Sequence, residues 1–106
     1  MLTDAADEDL AYRYVGPREA EEIGQTGVIP SVDARGNPKY VFASPNYYEN
    51  AADAQKALQL EKAPTHRVTF QFDVARYNYA GNVENGTGIE MTTSQPIPAL
   101  RIDPLR

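Results

Sequence analysis

The clearest alternation of apolar and polar positions runs from His66 to Val74. Val68, Phe70 and Phe72 fall on one side of a period-two pattern and Thr69, Gln71 and Asp73 on the other, which predicts a half-buried strand. Ala11-Tyr12-Arg13-Tyr14-Val15 is aromatic and β-branched in near alternation and is closed by Gly16-Pro17, so it predicts an earlier strand. Lys39-Tyr40-Val41-Phe42-Ala43 predicts another, ending in the segment Ser44-Pro45-Asn46-Tyr47-Tyr48. Late strands are expected at Ile89 to Thr93 and Ala99 to Ile102. Val28-Ile29-Pro30 and Gln95-Pro96-Ile97-Pro98 read as brief extended pieces, since proline cannot donate to a ladder.

Two short helices punctuate this pattern. Pro17 suits a first helical position, the acids of Arg18-Glu19-Ala20-Glu21-Glu22-Ile23 suit the positive end of the helix dipole, and Gly27 suits a C-terminal cap. Asn50 is a natural N-cap for a helix from Ala51 to Leu60, whose Ala51, Ala54, Ala57 and Leu58 form one apolar stripe before Pro64 breaks away. Ser31 to Pro38 is turn chemistry, and the polar, glycine-bearing run Tyr77 to Gly86 reads as a loop. The resulting order β-α-β-α-β-β-β predicts an α+β fold with a small, largely antiparallel sheet.

At 106 residues the chain is long enough for one modest core, and a 42 % hydrophobic fraction marks it as globular rather than disordered. The acidic, aperiodic residues 1–10 read as a flexible lead-in to a single domain spanning 11–106. With no cysteine, disulfides, thiolate metal sites and cysteine nucleophiles are excluded, and the single histidine, His66, argues against a histidine metal centre and reads as structural. A net charge of −5 with ten scattered basic residues disfavours nucleic acid, and with it a nuclease. An acidic domain more readily meets a basic protein surface or a small molecule. No apolar run approaches the roughly 18 residues that a membrane span needs.

Three stretches carry candidate chemistry. In Gly86-Thr87-Gly88-Ile89-Glu90-Met91 the glycines are expected to free the backbone, and Glu90 then stands at the mouth of a strand. A carboxylate so placed can orient a substrate hydroxyl or stabilise developing positive charge. Arg13, between Tyr12 and Tyr14, can project from a strand into a cleft, where its guanidinium fork suits a phosphate. Ser44 closes its strand in a position to hydrogen-bond the chain or a ligand, and Tyr47 and Tyr48 offer faces for a planar ring. With no second histidine or nearby lysine, Ser44 is not a hydrolase nucleophile. Glu84, in the polar loop, does not complete a glycosidase acid pair with Glu90.

The order of these residues resembles the Arg-Ser-Glu layout of ADP-ribosyltransferases. The resemblance implies NAD as cofactor, with Arg13 on its phosphates, Ser44 shaping the nicotinamide pocket and Tyr47 or Tyr48 stacking on nicotinamide. It implies that Glu90 holds the nicotinamide ribose and stabilises an oxocarbenium-like transition state. Tyr12-Arg13-Tyr14-Val15-Gly16-Pro17, Glu19-Ala20, Thr26-Gly27-Val28-Ile29-Pro30, Pro64-Thr65-His66-Arg67-Val68 and Gln95-Pro96-Ile97-Pro98 are similar to the small C-terminal toxin domains of Rhs-type polymorphic toxins, in particular the TreTu type. That similarity implies a small ADP-ribosyltransferase-like fold with a split sheet and two short helices. It also implies a secreted bacterial effector that acts in the target-cell cytoplasm during interbacterial competition. Its acceptor would be a protein, for which the resemblance offers elongation factor Tu, its effect translation inhibition, and its partner a cognate immunity protein. Two departures stand out: Ala43-Ser44-Pro45 replaces the family's Ser-Thr-Ser, and Gly88 occupies the place where arginine-modifying transferases carry an acid. The alternative from another class is a non-catalytic interaction or immunity module on a small α+β scaffold.

Overall fold

Strand order is set by two central strands rather than by chain order. The structure, a computed structural model, describes residues 10–72 and 79–106. Along the chain its elements are β1 (Leu10–Val15), α1 (Pro17–Thr26), β2 (Val28–Ile29), β3 (Val41–Ala43), α2 (Ala51–Leu58), β4 (His66–Gln71), β5 (Tyr79–Asn82), β6 (Ile89–Thr93), β7 (Ile97–Pro98) and β8 (Arg101–Pro104). β4 lies between β1 and β8 in one antiparallel sheet, and β6 lies between β3 and β5 in another. β2 and β7 form a short ribbon. The two larger sheets are joined by the bridge at which Tyr12 and Ser44 exchange both backbone hydrogen bonds at 2.8 Å each. The expected α+β fold, antiparallel and split, is what the chain adopts.

The core joins these sheets to α1. Val68 and Phe70 from β4 pack with Ala11 and Val15 from β1, Ile23 from α1, Val41 and Ala43 from β3, and Met91 from β6, all buried. Burying one such large apolar side chain stabilises the fold by about 1.5–3 kcal/mol. α1 begins with Pro17 after an extended Gly16, and ends where Gly27, at φ 75°, donates its N–H to the Ile23 carbonyl at 2.6 Å. That left-handed conformation is what glycine tolerates at no steric cost. The Asn50 side chain caps α2 by accepting from the Asp53 N–H at 2.8 Å. None of the described helices is long and apolar enough to cross a membrane.

The structure corrects five expectations. β4 is not half-buried: Arg67 and Thr69, on its polar side, are buried, as are Val68 and Phe70 on the other. The segment after β3 covers that side, with the Arg67 guanidinium 4.2 Å from the Tyr47 ring centroid and donating to the Tyr48 carbonyl at 2.9 Å. A strand, β5, lies inside the run expected as a loop. Its Tyr79-Ala80-Gly81-Asn82 lacks an apolar alternation, and it is an edge strand paired through its backbone with β6. α2 ends at Leu58, where Gln59 turns left-handed at φ 53°. The last strand is displaced to Arg101–Pro104, and β1 takes in Leu10. Residues 1–9, and Asp73, Val74, Tyr77 and Asn78 of the predicted strand and loop, lie outside the described residues.

Candidate functional site

Beyond the Tyr12–Ser44 bridge the two sheets part, and a cavity of about 590 Å³ opens there. β1 contributes Tyr12, Arg13 and Tyr14, and the end of β3 contributes Phe42, Ala43 and Ser44. Glu90 and Val83 close one side, and residues 58–61, at and just past the end of α2, close another. Arg13, Ser44 and Glu90 therefore share one cavity. The register of β3 against β6 pairs Phe42 with Thr92 and Ala43 with Met91, and continuing it by one step would set Ser44 opposite Glu90.

Arg13 is held, not loose. Its Nε and Nη2 donate to the two carboxylate oxygens of Glu19 at 2.6 and 3.2 Å, and Nη1 donates to the Phe42 carbonyl at 2.8 Å. Glu19 sits in the first turn of α1, where the helix dipole favours a carboxylate. A guanidinium has five N–H donors, so this clamp leaves one on each Nη. The side chain is about one-fifth exposed, at 19 %.

Ser44 is buried, and its hydroxyl works within its own turn. It accepts from the Asn46 N–H at 3.1 Å and donates to Asn46 Oδ1 at 3.2 Å. Asn46 Oδ1 also accepts from the Ile89 N–H at 2.7 Å, and the Asn46 carbonyl accepts from the Tyr14 hydroxyl at 2.6 Å. The same hydroxyl accepts from the Tyr48 N–H at 2.8 Å. Burial pushes the Tyr14 phenol well above its ordinary pKa, against the smaller opposing pull of the Tyr48 N–H and of Arg67.

Tyr47 and Tyr48 lie outside the cavity lining. Tyr47 meets Tyr12 edge-on at 5.4 Å between centroids, and Tyr48 lies tilted against Tyr14 at 5.7 Å. The aromatic residues that line the cavity are Tyr12, Tyr14 and Phe42, the last 53 % exposed. Strand alternation sends Tyr12 and Tyr14 away from Arg13, which is why the sequence hides them as lining residues. The cavity runs along the parted edge of β1, and from an edge consecutive residues are all reachable.

The glycines before Glu90 do a different job from the one expected. Neither Gly86 nor Gly88 is among the positive-φ glycines, which are Gly27 and Gly36. Their value is the absence of a Cβ. At Gly86 a Cβ would run into the Ala57 carbonyl oxygen, and at Gly88 it would lie 2.6 Å from Leu58 Cδ2 and 3.1 Å from the Tyr48 hydroxyl. This close approach lets Thr87 and Gly88 donate their N–H groups to the Ala57 carbonyl at 3.1 and 2.9 Å, capping the last turn of α2. A side chain at position 88 would have to displace the tip of Leu58 and crowd the Tyr48 hydroxyl.

Two residues that sequence reasoning passed over emerge here, Glu19 and Asn46. Glu19 was visible as a helix-dipole acid, but its pairing with Arg13 depends on how α1 folds back on β1. Asn46 was visible as a loop residue, with no local signal for its long-range bond to Ile89. Among the described residues no cluster of three or more His, Asp or Glu could hold a metal ion. The chain matches no protein-family model, no curated protein and no solved structure.

Proposed function

We propose that this chain is an NAD-dependent mono-ADP-ribosyltransferase acting on a protein acceptor. The observation that carries the reading is the sharing of one cavity by Arg13, Ser44 and Glu90, which are far apart in sequence. The cavity's volume, about 590 Å³, is in the range of small-molecule and cofactor sites, roughly 300–1,000 Å³.

The residues present fit the parts of a nicotinamide dinucleotide. The two N–H donors left on Arg13 suit phosphate oxygens, and Glu19 holds their direction. Tyr12 gives its backbone donor and acceptor to Ser44. Alternate residues of an antiparallel strand face the same edge, so Tyr14 turns its N–H and C=O to the parted side, a match for a carboxamide. Tyr12 and Tyr14 are the tyrosines at the cavity, and Tyr47 and Tyr48 pack against their rings. Bound NAD supplies an ADP-ribosyl group joined to nicotinamide through a labile N-glycosidic bond. The Glu90 carboxylate serves as a fixed negative charge and hydrogen-bond acceptor where positive charge builds on the ribose as that bond breaks. Ser44, through its turn, shapes the pocket beside it.

The net charge of −5 favours a protein acceptor over nucleic acid. The resemblance to Rhs-type toxins extends the proposal to a secreted bacterial effector acting in the target-cell cytoplasm. On that reading elongation factor Tu is the first acceptor to examine, and a cognate immunity protein is the expected partner. Chromatographic measurement of free nicotinamide after incubation with NAD tests the chemistry. Release by the wild-type chain, lost in Glu90→Gln, is expected; release at the same rate by both would remove Glu90 from the mechanism, and none by the wild type with acceptor lysate present would refute the proposal.

A further inference from the structure

The Glu90 strand is fixed at its first residue by a side chain from another part of the chain, and its neighbours explain why. β3 pairs with β6 through Val41, Phe42 and Ala43, and continuing that register would place Pro45 opposite Ile89. The chain turns away at this point, so the ladder loses its next backbone acceptor. Asn46 Oδ1 takes its place, accepting the Ile89 N–H at 2.7 Å. Asn46 is itself anchored at three other points: its N–H and Oδ1 to the Ser44 hydroxyl, and its carbonyl to the Tyr14 hydroxyl. One residue thereby ties β1, the end of β3 and the start of β6 together around the cavity.

We infer that Asn46 is a positioning residue for Glu90: its side-chain carbonyl completes the ladder next to Glu90 and sets where the carboxylate stands relative to Arg13 and Ser44. The bond to Ile89 is a feature of the fold whatever the site does; the consequence for turnover rests on the proposed ADP-ribosyl transfer. Because Asn46 does not line the cavity, its removal changes the placement of Glu90 rather than contact with NAD. A displacement on the order of 1 Å of a reacting group costs up to about a hundredfold in rate.

The test pairs Asn46→Ala, which deletes the acceptor, with Asn46→Asp, which keeps an oxygen in the same place. Amide hydrogen exchange is followed at Ile89, with Phe70 in β4 as the reference for global opening. In Asn46→Ala, Ile89 is expected to exchange about tenfold faster or more while Phe70 changes little, and Asn46→Asp restores protection. Nicotinamide release by Asn46→Ala should fall about tenfold or more in kcat with KM for NAD within about threefold, and Asn46→Asp should recover most of it. Unchanged exchange at Ile89, equal acceleration at Phe70, or an unchanged kcat would each overturn the inference. A wild-type chain that releases no nicotinamide would instead refute the proposed function, and the exchange arm alone would then decide whether Asn46 holds the β6 strand.

Discussion

A Cβ at Gly86 would overlap the carbonyl oxygen of Ala57, and it would lie 3.0 Å from Val83 Cγ1. The obstacle is backbone, which cannot step aside as a side-chain tip can. Gly86→Ala is therefore expected to destabilise the domain by about 2–4 kcal/mol. Gly88→Ala meets chiefly Leu58 Cδ2, the flexible end of a side chain, and should cost about 1–2 kcal/mol. Urea unfolding of the two variants checks the order; a Gly86→Ala midpoint equal to wild type would mean that the loop does not rest on α2.

Tyr14 links stability to alkaline pH. Its hydroxyl donates to the Asn46 carbonyl and accepts from the Tyr48 N–H, so Tyr14→Phe leaves both groups without that partner and should cost about 1–3 kcal/mol. The phenol's pKa is raised by burial from the ordinary 10.0, so the folded chain keeps this proton after the unfolded chain has released it. The stabilisation is thus complete below about pH 10 and is lost as pH rises above that value. Melting temperatures at pH 7, 9 and 10.5 should show a steeper alkaline fall for wild type than for Tyr14→Phe. Parallel curves would show that Tyr14 titrates alike in both states.

Arg13→Lys separates charge from geometry. Lysine keeps the positive charge but cannot reproduce the fork that engages Glu19 through Nε and Nη2 and Phe42 through Nη1. KM for NAD is expected to rise about tenfold or more, the loss of roughly 1.5–3 kcal/mol in charged hydrogen bonds, with little change in melting temperature. The Glu19 carboxylate, 32 % exposed, keeps access to water, so even Arg13→Ala should cost only about 1 kcal/mol of stability. A wild-type KM in Arg13→Lys would detach Arg13 from phosphate binding.

The sequence made the large elements legible because their signals are local. The cap at Asn50, Pro17 and Gly27 around α1, and Ile89–Thr93 as a strand all rest on residues within a turn of each other, and the structure has them in those places. β5 was missed because an edge strand needs only backbone pairing, and Gly81 and Asn82 carry no strand preference of their own. The burial of Arg67 and Thr69 was missed because it depends on where residues 45–48 come to lie. At the site, Arg13, Ser44 and Glu90 could be singled out from the sequence, and the structure brings them to one cavity. Their supports, Glu19 and Asn46, could not be, since each acts through a contact between separate elements. The role given to the glycines before Glu90 was mistaken for the same reason: clearance against Ala57 is a tertiary fact.

The most direct measurement is incubation of the chain with NAD labelled in its adenylate moiety and with bacterial lysate, followed by separation of the proteins. Wild type should place label on a protein band, and Glu90→Gln, at equal concentration and with an unchanged melting curve, should reduce that label by about a hundredfold or more. Absence of labelled protein with the wild-type chain, or equal labelling by Glu90→Gln, would contradict a transferase that works through Glu90.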